Sequence, residues 1–328
     1  MSLRDRLQPE VSKSIRAEKL RAHPYQTDGS FIVDTLKLDW TDATRDRVVP
    51  VKIYFPKSAG GPFPVIIFSH GLGGSRDGYG YLGRRWASHG YVAVHLQHAG
   101  SDAAVWEGQP IAERVKLLKQ AAFVPKNTTD RPKDVSFAID ELTSLNGEPS
   151  PLQNRLDLGK IGAAGHSFGA FTALATAGQV LVTPLRQEIF FLDPRVKAVV
   201  AMSASVPKNK DKWDKAFGSI NVPCLHMTGT LDDSPIGEMN PADRRVPFDY
   251  AKSPDQFLVT FTGGDHFIFS GRWRGQSGGG HDKMFQDHIL SSSTAFWDAF
   301  LKEDHTALKW LNEGFASELG DKGVFERK

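Results

Sequence analysis

Six short, continuous apolar runs with helical segments between them predict an α/β fold, built on a mostly parallel, doubly wound sheet of about eight strands with helices on both faces. The runs are residues 65–68, 91–94, 161–164, 196–202, 222–227 and 257–261. Unbroken rather than alternating hydrophobicity is what a strand shows when both of its faces are covered. Helical patterns fall at 80–89, 134–145, 168–177 and 285–300. A third observation is local: Gly165-His166-Ser167-Phe168-Gly169 links the third run directly to a helical stretch rich in Ala, Thr and Leu.

Residues 1–30 are polar and irregular, with an amphipathic pattern over 11–20, and are expected to form an extension outside a single domain spanning 31–328. Leu36, Leu38 and Trp40 alternate with Lys37 and Asp39, and Val49, Val51, Ile53 and Phe55 continue the two-residue period. These segments predict two half-buried antiparallel strands ahead of the parallel core. Residues 100–132 form an insertion with one amphipathic helix at 111–123, whose Ile111, Val115 and Leu118 share a face. That helix suits a surface element docked on the core, a lid over a pocket, or a membrane-lying segment.

Composition narrows the function classes. The 328 residues are 40% hydrophobic, enough for a sizeable core, and carry Lys+Arg 40 against Asp+Glu 38 with no basic block. Nucleic-acid partners, which ask for a clustered positive stripe, are therefore not expected. The single Cys224 forms no intrachain disulfide and reads as a small core residue. No apolar run approaches the roughly 18 residues of a membrane span. The first residues lack the apolar stretch of a secretory leader, which leaves the compartment open.

In open parallel sheets chemistry gathers at the carboxyl ends of the strands. A serine on a sharp strand-to-helix turn needs small neighbours, and Gly165 and Gly169 supply that room around Ser167. The first run is followed by Ser69-His70-Gly71-Leu72-Gly73-Gly74, a turn able to aim backbone N–H groups above the sheet. Leu72 is the expected oxyanion donor there, paired with the N–H of Phe168. Asp232 and Asp233 follow the fifth run, and either could orient a catalytic imidazole, with Asp232 favoured by its spacing from Gly229. His266 follows the sixth run and is the candidate general base, whereas His281, in a Gly-rich loop, and His288 and His305, within or after the closing helix, read as bystanders. The chain order Ser167, Asp232, His266 is the order used by G-x-S-x-G hydrolases on such sheets.

Two further groups stand out. His95, His98 and Asp102 lie close together after a strand, where a polar loop bordering the pocket is favoured over a metal site. Arg272-Trp273-Arg274, just beyond His266, suits either contact with an anionic or aromatic substrate group or an exposed loop.

The motifs at 68–73, at 87–91, around His98 and at 165–169 resemble the α/β-hydrolase superfamily, within it the platelet-activating-factor acetylhydrolase-like and dienelactone-hydrolase-like group. The resemblance covers roughly residues 45–300. It implies an ester hydrolase without cofactor or metal, with Leu72 and Phe168 at the oxyanion positions. Two departures are visible. The acetylhydrolases carry their acid after the strand that follows the elbow helix, where this chain has Met202-Ser203-Ala204, and dienelactone hydrolases use a Cys where it has Ser167. The expected function is cleavage of a small-molecule carboxylic ester through an acyl-enzyme, with activity falling on acidification. Acyl transfer or peptide cleavage by the same residues, and a non-catalytic binding role for the fold, are the alternatives.

Overall fold

The computed structural model describes residues 25–58, 60–183, 185, 187–237, 239–271 and 281–328. The helix expected at 11–20 and the Arg272-Trp273-Arg274 segment lie outside the described residues.

The alternating pair forms first. β1 (Val33–Asp42) and β2 (Arg47–Pro56) are antiparallel, with Asp42 opposite Arg47 across the turn. The apolar runs become β3 (Phe63–Ser69), β4 (Val92–Leu96), β5 (Leu156–His166), β6 (Val196–Met202), β7 (Cys224–Leu231) and β8 (Gln256–Asp265). A further strand, β9 (Gly323–Arg327), pairs antiparallel with β8 and closes that edge. The sheet has nine strands in the order β1-β2-β4-β3-β5-β6-β7-β8-β9, with the central pairs from β4 to β8 parallel. This is a mostly parallel sheet wrapped by helices, consistent with an α/β-hydrolase fold.

Helices on both faces cover the sheet and explain why its strands are apolar on both sides. α1 (Gly80–Ser88) sits on one face, where its Trp86 meets Trp297 edge to face at 6.0 Å between centroids. Trp297 belongs to the long helix Asp282–Leu301, and both rings are wholly buried. On the other face, Val135, Ala138, Ile139 and Leu142 of one helix and Ala170, Ala173 and Leu174 of another join a core with Val65, Ile67 and Val199. Burying each such large side chain is worth about 1.5–3 kcal/mol. The insertion carries α2 (Ile111–Ala122), which buries only Ala121 and keeps Ile111 80% exposed.

The helix after the insertion starts earlier than the sequence pattern suggests. α3 runs Pro125–Gly147, so the second part of the expected 100–132 insertion is already helical. Pro125 stands in the first turn, where a missing N–H costs nothing, and Pro132 is carried inside the helix rather than marking its start. α4 (Phe168–Thr176) follows β5 without a loop, and α5 is the closing helix Asp282–Leu301.

Candidate active site

β5 ends on Gly165-His166 and α4 begins on Phe168, which forces the whole reversal onto Ser167. Its backbone lies at φ 56°, ψ −117°, a conformation that costs a non-glycine residue of order 1–3 kcal/mol. The turn tolerates no bulk beside it. A Cβ on Gly165 would sit 2.1 Å from the carbonyl oxygen of Gly169, and one on Gly169 would sit 1.9 Å from that of Ser69. Although Ser167 occupies the N-cap position, its hydroxyl does not cap the helix. Oγ instead lies 3.0 Å from Nε2 of His266.

His266 is delivered from the end of β8, and its Nδ1 lies 2.8 Å from Oδ1 of Asp232, at the end of β7. Asp232 is wholly buried and Asp233 is exposed, so only the first of the neighbouring aspartates reaches the imidazole. The carboxylate also accepts from the hydroxyls of Thr228 at 2.9 Å and Ser203 at 2.6 Å. These contacts fix the face the carboxylate offers to His266.

Two residues at this junction carry no sequence signal. Ser203 stands just past β6 with φ 58°, and its Oγ lies 2.8 Å from Nδ1 of His266 as well as touching Asp232. Arg244 is buried and ties the loop together, donating to the carbonyl oxygens of Asp232 at 2.8 Å and Ser203 at 2.8 Å. Its Nε also lies 3.1 Å from Oδ1 of Asp232. Burial lowers its pKa from the ordinary arginine value. An isolated arginine far from any motif is invisible until the fold buries it.

The turn after β3 carries the amide donor expected from the sequence. The amides of Gly73 and Gly74 are taken by the carbonyls of Ser101 and Gly71, and that of Gly71 reaches the Tyr79 hydroxyl at 3.4 Å. The amide of Leu72 has no acceptor among the described residues. The amide of Phe168, first in α4, has none within its helix and stands at the positive end of the helix dipole. Leu72, Ser167 and His266 line one cavity of about 750 Å³. The cavity is also lined by Trp106, Val115 and Leu118 of the insertion and by Ile236 and Phe267.

His95 inside β4 and His98 and Asp102 just after it are buried and do not line this cavity, a correction to the sequence reading. His98 Nδ1 donates to Asp134 at 2.9 Å and its Nε2 accepts from the Ser69 hydroxyl at 3.0 Å. Burial lowers its pKa to about 4, so the neutral ring does the bonding. His95 faces the carbonyl of Gly78 and Asp102 accepts from Gln97, so the three side chains serve separate networks. Among the described residues no group of three or more His, Cys, Asp or Glu side chains is arranged to hold a metal. Of the other histidines, His281 stands just before α5 without a side-chain bond to it, His305 opens the helix His305–Glu313, and His288 faces Glu318 at 3.8 Å. Among the described residues no helix is long and apolar enough to cross a membrane.

Comparison with known proteins points the same way. The family model described as platelet-activating factor acetylhydrolase, isoform II, matches residues 36–113, which include Leu72 and end before Ser167. A platelet-activating factor acetylhydrolase from Cavia porcellus is 30% identical over 40% of this chain and 35% of its own length. Namesakes from Bos taurus and Canis lupus familiaris are 30% and 28% identical, over 37% and 36% of this chain and 33% of their own lengths. The matches thus span about a third of these curated relatives.

Proposed function

We propose that this chain, a platelet-activating-factor-acetylhydrolase-like member of the α/β-hydrolase superfamily, is a serine hydrolase that cleaves carboxylic esters through an acyl-enzyme. The observation that carries the reading is the relay from Ser167 Oγ to His266 Nε2 at 3.0 Å and from His266 Nδ1 to Asp232 at 2.8 Å, opening on a cavity. In the reaction, Ser167 Oγ bonds to the ester carbonyl carbon while its proton passes to His266 Nε2. Asp232 holds the ring and balances the imidazolium. The carbonyl oxygen, now an alkoxide, is received by the amides of Leu72 and Phe168, each worth about 3 kcal/mol of barrier. As the carbonyl re-forms, the C–O bond breaks and the alcohol leaves with the proton from His266. Water then repeats the cycle: His266 removes its proton, hydroxide adds to the acyl carbon, and the carboxylic acid departs as Ser167 recovers its proton.

The relatives are named for removing an acetyl group, which supports short acyl esters as substrates for this chain as well. Release of p-nitrophenol from p-nitrophenyl acetate and butyrate tests the proposal. The wild type is expected to turn over and Ser167→Ala to lose about 10⁴-fold or more in kcat. A Ser167→Ala variant as active as the wild type overturns it.

A further inference from the structure

Arg131 is wholly buried in α3, yet no carboxylate pairs with its guanidinium among the described residues. Asp134 and Asp102 act on it only through space, and burying a guanidinium without a directly paired carboxylate is costly, so its retention asks for a reason. Burial lowers its pKa to about 9, which still leaves it charged at neutral pH. Its donors fan out to three different elements. Nη2 donates to the carbonyl of His70, Nη1 to the Ser101 hydroxyl at 2.9 Å, and Nε to the Thr172 hydroxyl at 2.9 Å.

Each acceptor is tied to the oxyanion side of the site. His70 stands two residues before Leu72, on the same turn. Ser101 accepts the amide of Gly73 through its carbonyl at 2.9 Å, so it holds the other flank of Leu72. The Thr172 hydroxyl donates a hydrogen bond to the carbonyl of Phe168 at 2.9 Å, and the guanidinium carbon lies 4.5 Å from the centre of the Phe168 ring. Both oxyanion amides therefore hang from one planar, rigid fork.

We infer that Arg131 is a positioning residue that fixes the spacing of the Leu72 and Phe168 amides, a role that rests on the ester-hydrolase reading of Ser167. The planar guanidinium suits it because it presents several donors at set angles, whereas an ammonium is a point charge on a flexible stem. The insertion is then part of the oxyanion machinery: Ser101 at its start and Arg131 at its end, with Trp106 Nε1 donating to the carbonyl of Gly73 at 2.8 Å between them.

The test compares wild type, Arg131→Lys and Thr172→Val for kcat and KM on p-nitrophenyl butyrate, per site titrated to completion with a fluorophosphonate. Affinity for an alkyl boronic acid, which forms a tetrahedral adduct on the serine, is measured alongside. Arg131→Lys is expected to lose about 10–100-fold in kcat with KM within about twofold, and to lose boronate affinity by a matching factor. Thr172→Val, which removes one arm of the fork, is expected to lose roughly 3–10-fold in kcat by the same argument. Should Arg131→Lys fail to fold, Thr172→Val carries the test. A lower melting temperature with kcat per site and boronate affinity at wild-type level overturns the inference while leaving the hydrolase reading intact. A wild type without turnover overturns the hydrolase reading, and this inference with it.

Discussion

Ser167 and Asp232 show how far single residues speak from sequence and where they stop. Ser167 is readable because its strained backbone dictates its neighbours: Gly165 and Gly169 are where the chain leaves no room for a Cβ. The pair Asp232 and Asp233 is not resolved by spacing alone. Burial separates them, with Asp232 enclosed by Thr228, Ser203 and Arg244 and its neighbour in solvent. Asp232→Asn is therefore expected to lower kcat by about 10⁴-fold by mis-setting the His266 tautomer, and Asp233→Asn to leave it within about twofold. Ester kinetics on the two variants decide it, and the reverse pattern would reassign the acid. Ser203, Arg244 and Arg131 were illegible for a common reason. A serine or arginine acquires its role from what surrounds it after folding, and no local pattern announces that.

At the level of elements, the parallel strands and the helices between them were legible because burial on both faces writes an unbroken apolar run. Val196–Met202 matches its expected bounds, and the strand of the sixth run, Gln256–Asp265, starts one residue earlier and extends toward His266. Two elements were harder. α3 begins at Pro125, ahead of the expected 134, because Pro132 inside a helix imitates a boundary. β9 is five residues of mixed polarity whose partner strand alone makes them a strand. α2 was read as a docked surface helix or a lid, and its Val115 and Leu118 line the cavity while Ile111 faces solvent. A Cβ on Gly73 would meet Leu118 Cδ2 at 2.6 Å, which places that side chain hard against the oxyanion turn. Leu118→Ala is thus expected to widen the pocket and raise the kcat/KM ratio of p-nitrophenyl octanoate to acetate several-fold, as removing methylenes from a pocket wall does. An unchanged ratio would move the acyl chain to the Ile236 and Phe267 wall.

For the molecule as a whole, buried histidines tie stability to pH. Burial lowers the pKa of His95 to about 3 and those of His98 and His226 to about 4, against about 6.5 in an unfolded chain. A depressed histidine favours the neutral form in the fold, so the unfolded chain binds more protons as pH falls below about 6.5. The stability these groups contribute is present above that value and is lost progressively toward pH 4, at roughly 1.4 kcal/mol per histidine per pH unit. Asp134, held well below the usual carboxylate range by its bonds to His98 and Arg47, stays ionised across that window. The melting temperature is expected to be level from pH 9 to 7 and to fall steeply from 6.5 to 4.5, and a flat profile there would contradict the buried neutral rings. The sheet itself brings the central claim together, since Leu72, Ser167, Asp232 and His266 come from four different strand ends. The most direct measurement of that claim is the intact mass of the protein after treatment with a fluorophosphonate, followed by peptide mapping. A single adduct on Ser167, absent from Ser167→Ala and strongly slowed in His266→Ala, is the expected result, and an unmodified wild type or an adduct on another residue would contradict the account.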